Sequence, residues 1–196
     1  MNGVNMAAIY VVQTLGSLYL LIVLLRFILQ LVRADFYNPL SQFIVRATQP
    51  LLKPLRRVIP GFAGIDIASL VLSLIIQVAL LAAIITLMGY SLPPILNLLV
   101  WALVGITALF LKVFFFALII SVILSWVAPH SHNPAAILVY QLCEPLLAPI
   151  RRFLPAMGGL DLSPIFAFIA LNLLDMLLIT NLAIATGMPK GLTLAL

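Results

Sequence analysis

Four long runs of apolar residues constrain this chain more than any other feature of it. A helix needs about 20 apolar residues to cross the hydrocarbon of a bilayer. The runs Met6 to Val32, Asp66 to Met88, Ile95 to Val127 and Leu162 to Ala185 all reach that length. The third exceeds one bilayer thickness, so it tilts or begins among the headgroups. Of the 196 residues, 65% are hydrophobic and 8% charged, against about a quarter charged in a soluble domain. No soluble core could hide that much apolar surface, so the solvent is largely lipid. No basic residue precedes the first run, and Arg26 and Arg33 stand at its far end. A secretory signal has the opposite charge polarity, so the run reads as a retained span.

The two long connections, Arg33–Ile65 and Ala128–Leu160, carry apolar residues at helical spacing. In the first, Leu40, Phe43, Ile44 and Ala47 fall on one face, with Ser41, Gln42 and Arg46 elsewhere. After Pro50, a second face holds Leu51, Leu52, Leu55, Val58 and Ile59, opposite Lys53, Arg56 and Arg57. Such segments are too short to span and read as amphipathic helices in the membrane interface. Packing on the ends of the bundle is compatible with this.

A shift of 95 positions aligns the connections without a gap. Asn38-Pro39 falls on Asn133-Pro134, Pro50-Leu51-Leu52 on Pro145-Leu146-Leu147, and Pro54 on Pro149. Arg56-Arg57 falls on Arg151-Arg152, Pro60 on Pro155, and Gly64 and Asp66 on Gly159 and Asp161. The offset also sets Gln77 on Asn172. The fold expected is an all-α membrane protein of four transmembrane helices, built as two tandem repeats, residues 1–94 and 95–196. Two crossings per repeat return the chain to its starting side, so the copies are parallel, related by an axis along the membrane normal. Within each copy, Asn-Pro breaks the first helix and starts the interfacial one. Pro54 and Pro149 suit the first turn of a further short helix. Asp66 and Asp161 cap the second and fourth spans, and the glycine two residues earlier permits the turn. The arginine pairs are placed to meet lipid phosphates or that aspartate.

The duplicated pattern P-L-L-x-P-x-R-R-x-x-P-x-x-x-G-x-D, at Pro50–Asp66 and Pro145–Asp161, resembles the YggT family, and the likeness covers nearly the whole chain. One departure is Ala148 where the first copy has Lys53. The resemblance implies a multi-pass protein of the bacterial inner membrane with relatives in cyanobacteria and chloroplasts. Bacterial members are linked to osmotic stress tolerance and potassium homeostasis, and relatives in Gram-positive bacteria lie near cell-division genes. Plastid relatives are linked to haem attachment and nucleoid distribution. It implies no agreed activity, and no catalytic residue to carry over.

Little in the residues suggests catalysis. There is no Ser-His-Asp set, glycine-rich phosphate loop or carboxylate pair. Cys143 has no adjacent base, and His130 and His132 are too few to hold a metal. Neither cofactor nor metal is expected. Lys112 and Asp175 lie inside apolar runs, where an ionisable residue is a functional hypothesis by default. Counted inward from the ends of their helices, they reach similar depth, which predicts an ion pair, with Asn172 on the same face as Asp175. Arg26 lies near an end and can snorkel. Ala117, Ser121 and Ser125 recur every four positions, as close helix packing requires.

The net charge of +5 comes from basic residues between apolar runs, which points to anionic headgroups and not to nucleic acid. Arg33, Arg46, Lys53, Arg56 and Arg57 stand in one connection, Arg151 and Arg152 in the other, and Gly89–Pro94 has no charge. The positive-inside rule then sets both connections in the cytoplasm and both termini in the periplasm. Two function classes remain. One is a non-enzymatic scaffold or assembly factor with membrane-protein partners or a homo-oligomer. The other is an oligomeric ion channel or transporter component, for which Lys112, Asp175, Asn172, Gln77 and Gln13 supply a modest polar set.

Overall fold

The computed structural model describes residues 3–61, 64–128, 131–153 and 161–189. The described residues are all helical in their regular structure, with four helices long and apolar enough to cross a membrane. α1 (Gly3–Leu31) is the first span, α2 (Pro39–Val58) the first connection, and α3 (Ile67–Leu87) the second span. α4 (Ile95–Val127) is the third span and α5 (Pro134–Phe153) the second connection. The fourth span, Ser163–Ala185, is composite: α6 (Ser163–Leu174), a π-helical segment Asp175–Thr180, and α7 (Asn181–Ala185). These bounds agree with the four apolar runs to within a few residues.

Local chemistry explains where the elements begin. Pro39 occupies the first turn of α2, and the Asn38 side chain accepts a hydrogen bond from the Leu40 N–H. Asn133 does the same for Ala135 ahead of α5. Asp66 caps α3 by accepting from the Ser69 N–H, and Asp161 accepts from the Ser163 N–H as α6 starts. Gly64 takes φ +82° in the turn before Asp66, a conformation costly for any residue with a Cβ. Gly159 and Pro155 lie outside the described residues.

The prolines behave differently from expectation. Pro54 and Pro149 do not open a further short helix. Each connection is one continuous 20-residue helix with two prolines inside it. A proline removes one N–H donor and crowds the preceding turn. Here Pro50, Pro54, Pro145 and Pro149 all lie on exposed positions, where surrounding solvent can satisfy the backbone groups that a proline leaves unbonded.

α1 and α3 pack closely. Gly16 lies against Leu80, and a Cβ there would stand 2.1 Å from a Leu80 methyl. α3 continues onto α4, where Gln77 lies against Gly105. The largest core cluster joins α1, α4 and α5 with part of α6, including Leu24, Ile28, Leu118, Leu142 and Leu171. α2 turns Ser41, Ile44, Thr48 and Leu52 to the protein and leaves Leu40, Phe43, Leu51 and Val58 exposed. The helix therefore packs on the bundle end with one side and leaves apolar residues exposed on the other. The face expected to unite Leu40, Phe43 and Ile44 is split between these roles, because small Ser41 and Thr48 permit the closer approach to the bundle.

The connections also meet. Asn38 Nδ2 donates to the Pro134 carbonyl at 2.7 Å, and the Asp35 N–H donates to Gln141 Oε1 at 2.9 Å.

Candidate functional site

Two groups of polar residues emerge, one at the connection end of the bundle and one midway along the spans. The first centres on Arg26, which is buried at 7% exposure. Its guanidinium donates to the Val45 carbonyl at 2.9 Å and to Thr48 Oγ1 at 2.7 Å, and Nε lies 3.9 Å from Asp66 Oδ2. Asp66 is 3% exposed and is also hydrogen-bonded by Arg56 and by Ser69. Burial raises the Asp66 pKa, but hydrogen bonds from Ser69 and Arg56 outweigh it and hold the carboxyl below its ordinary value. Two guanidiniums on one carboxylate leave the cluster with a net positive charge. The expectation that Arg26 merely snorkels is thus corrected. It sits far enough inside α1 for α2 to lie across it, and the carbonyl, hydroxyl and carboxylate around it satisfy its fixed fork of donors.

The second connection repeats part of this. Arg151 Nε meets Asp161 Oδ2 at 3.0 Å, and its Nη1 meets Glu144 Oε2 at 3.0 Å. Both carboxylates are exposed, Asp161 at 45%. For Asp161 too, burial raises the pKa, and hydrogen bonds from Ser163 and Arg151 outweigh it. In place of the buried Arg26 and Thr48 stand two neutral buried side chains, Ser121 and Cys143. Cys143 is 1% exposed, and burial pushes its thiol up to about 11, so it is protonated at neutral pH and inert as a nucleophile. In the small-residue row of α4, Ala117 and Ser121 are buried, whereas Ser125 is exposed. Arg57 and Arg152 point outward, exposed.

The second group lies between α4 and the fourth span. Lys112, Asn172 and Asp175 line one cleft of about 210 Å³, with Leu111, Phe115, Phe116 and Leu171 as its apolar walls. Lys112 and Asp175, expected from their depth to form an ion pair, border the same cleft. Asn172 donates back to the Phe168 carbonyl, and the π segment begins at Asp175. Gln77 belongs elsewhere: it is buried against Gly105, and its Oε1 has no hydrogen-bond partner among the described residues. Of the two histidines, His130 lies outside the described residues, and no group of three or more metal-ligating side chains gathers among those described.

Arg26 is the residue that sequence reasoning undervalued. Its only signal was asymmetry: 95 positions on, the chain has Ser121.

The CCB3/YggT family model matches residues 5–88 and again 100–182. An uncharacterized protein of Pseudomonas aeruginosa is 71% identical over 197 residues, covering 100% of both chains. The uncharacterized protein YggT of Escherichia coli K12 is 39% identical over 170 residues, 85% of this chain and 86% of that one. A protein of Arabidopsis thaliana named YlmG homolog protein 2, chloroplastic, is 41% identical over 66 residues, 32% of this chain and 25% of its own. No solved structure matches.

Proposed function

The chain belongs to the CCB3/YggT family, and we propose that it serves as a non-enzymatic scaffold or accessory factor of the bacterial inner membrane, working through helix contacts inside the bilayer. One observation carries this reading. The fourth span is the least enclosed, with 17% of its apolar window buried against 39% for α3 and α4. Yet it is the span whose exposed positions include Asn172, Asp175 and Asn181. Amide and carboxylate groups at membrane depth are stable only against protein or a water-filled path. A surface of this kind calls for a protein neighbour.

The orientation proposed sets α2 and α5 on the cytoplasmic side and both termini in the periplasm. Support comes from seven basic residues in the two connections, Arg33, Arg46, Lys53, Arg56, Arg57, Arg151 and Arg152, and none at Gly89–Pro94. The two halves are proposed as parallel repeats, supported by the ungapped motif and by the two successive matches of the family model.

Cross-linking in intact membranes, followed by purification in mild detergent, tests the scaffold reading. Recovery of a membrane protein or a further copy in fixed proportion supports it. A chain that comes out alone after efficient cross-linking overturns it.

A component of an ion path in osmotic or potassium homeostasis is the second reading, and the cleft of Lys112 and Asp175 favours it. Against it, Gln77 is sealed between α3 and α4 and does not share that cleft. Potassium flux from purified protein in liposomes would establish it, and no flux above empty vesicles would end it.

A further inference from the structure

We propose that the open middle of the fourth span is closed by a second copy of this chain, packed about a two-fold axis so that Asp175 of each copy meets Lys112 of the other. This rests on the scaffold reading and names its nearest partner.

Depth comes first. Asp175 stands twelve residues beyond Ser163 and ten before Ala185. At about 1.5 Å per residue it lies roughly 18 Å inside the span, near the centre of a core about 30 Å thick. Asp175, Asn172 and the flanking Met176 are exposed there. A carboxylate at that depth does not face acyl chains. Nor do the other described residues cover it. The fourth span is fastened to α4 on either side of the cleft, by edge-to-face packing of Phe115 on Phe168 and by Trp101 Nε1 donating to the Thr186 carbonyl at 3.1 Å. Between those points the cleft opens, and the π segment starts at its acidic edge. π segments are rare, and they recur at functional sites.

The identity of the occupant follows from charge. A two-fold interface presents the same patch twice, so the patch must complement itself. A patch of one sign repels its own copy and needs a foreign partner. This cleft is lined by both an ammonium and a carboxylate. Two copies facing each other place each carboxylate against an ammonium, between apolar walls of Leu111, Phe116 and Leu171, and no other chain has to supply a charge.

Cysteine cross-linking in native membranes tests this, in a Cys143→Ala background. Met176→Cys flanks Asp175 and is expected to give a band at twice the chain mass. Ile75→Cys, exposed on α3, serves as the control face. Charge reversal then asks whether the charges meet between copies. Lys112→Asp alone and Asp175→Lys alone each set like charges together, which should cut the homodimer band by at least about tenfold. Co-expressed under different tags, the two variants should form the mixed dimer at the parent level, since one brings acidic groups and the other basic. A purely intramolecular pair gains nothing from mixing, so failure of the mixed dimer overturns the proposal. The Met176→Cys result stands by itself if the reversed variants do not accumulate. A band at another mass overturns the second copy and keeps the scaffold reading, whereas no band at any mass overturns both.

Discussion

At the join between α1 and α2, Arg26 donates to Val45 and Thr48 and shares Asp66 with Arg56. Ninety-five residues later, at the join between α4 and α5, Ser121 and Cys143 stand where Arg26 and Thr48 stood. The neutral pair needs no counter-charge. Asp161 is therefore free to sit near the surface, sharing Arg151 with Glu144, which occupies the place of Gln49. The spans follow the same division. Gly16 lets α1 close on Leu80; the positions 95 beyond Ser17 and Leu80 are Lys112 and Asp175, and they border a cleft. The first half buries Arg26, Asp66 and Gln77, whereas the second half leaves Asp161, Asn172 and Asp175 exposed. On the proposed repeat, the two halves differ at these matched positions in whether their polar groups are buried or exposed.

The strongest way to break this comparison is to remove the two aspartates in turn. Asp66→Ala leaves Arg26 buried beside Arg56 without a carboxylate, and breaking a buried pair costs about 3–5 kcal/mol. Asp161→Ala removes an exposed pair contributing about 0–1 kcal/mol, together with a helix-start hydrogen bond of about 1 kcal/mol. Thermal unfolding in detergent should show Asp66→Ala as the larger loss. Equal losses would mean that the buried cluster is no anchor.

Acid sharpens the same contrast. Each aspartate has a folded pKa below its ordinary value. Its stabilisation is therefore fully present above the unfolded pKa of about 4 and is lost as pH falls through the folded value. Asp66→Asn should flatten the fall in stability below pH about 4 and do so in high salt as well. The contribution of Asp161, exposed to solvent, should fade as salt rises over a Debye length of about 10 Å at 0.1 M. A salt titration of the two variants at pH 3 to 6 checks this. An acid limb unchanged by Asp66→Asn would show that the fall originates elsewhere.

The arginine pairs divide by role. Arg56 and Arg151 are held by aspartates, while Arg57 and Arg152 are exposed and form no ion pair among the described residues. Each basic residue at an anionic surface contributes about 1 kcal/mol. Arg57→Gln with Arg152→Gln should therefore lower retention of anionic lipid in detergent without moving the unfolding temperature, whereas Arg56→Gln should lower that temperature. Equal lipid retention in parent and double variant would remove the lipid role.

Runs of apolar side chains gave all four spans, because length and hydropathy set that structure directly. Asn38-Pro39 and Asn133-Pro134 were legible as helix starts, and Asp66 as a cap, since such residues act on their own next few N–H groups. Pro54 and Pro149 misled: whether a proline breaks a helix depends on whether its released carbonyls can be solvated, and that is a property of the fold. Arg26 was missed for a related reason. Distance from a helix end suggests snorkelling, and only the docking of α2 decides that Thr48 and Val45 cover it. The shared cleft of Lys112 and Asp175 was accessible because depth counts from helix ends are simple arithmetic. Its openness was not, because it depends on how closely two spans approach.

The smallest expected effect compares how α1 and α4 end, and its two arms differ in sign. Arg33 follows α1 with φ +55°. Its N–H donates to the Gln30 carbonyl and the Ala34 N–H to the Leu29 carbonyl, the two bonds of a Schellman motif, whose left-handed position is usually glycine. An L side chain there costs about 1–2 kcal/mol against glycine. Glycine returns part of that through the greater freedom of the unfolded chain, about 0.5–1 kcal/mol. Arg33→Gly and Arg33→Ala lose the same charge, and only glycine relieves the strain. The glycine variant should therefore be the more stable by about 0.5–1 kcal/mol. Ala128, at the matched end of α4, has φ −147°, which any residue adopts. Glycine relieves nothing there, and Ala128→Gly should cost about 0.5–1 kcal/mol by unfolded-state entropy alone. Thermal unfolding of the three variants in one detergent gives both arms. If glycine and alanine at position 33 prove equally stable, the turn after α1 is not held in the left-handed conformation, and the contrast between the two helix ends disappears.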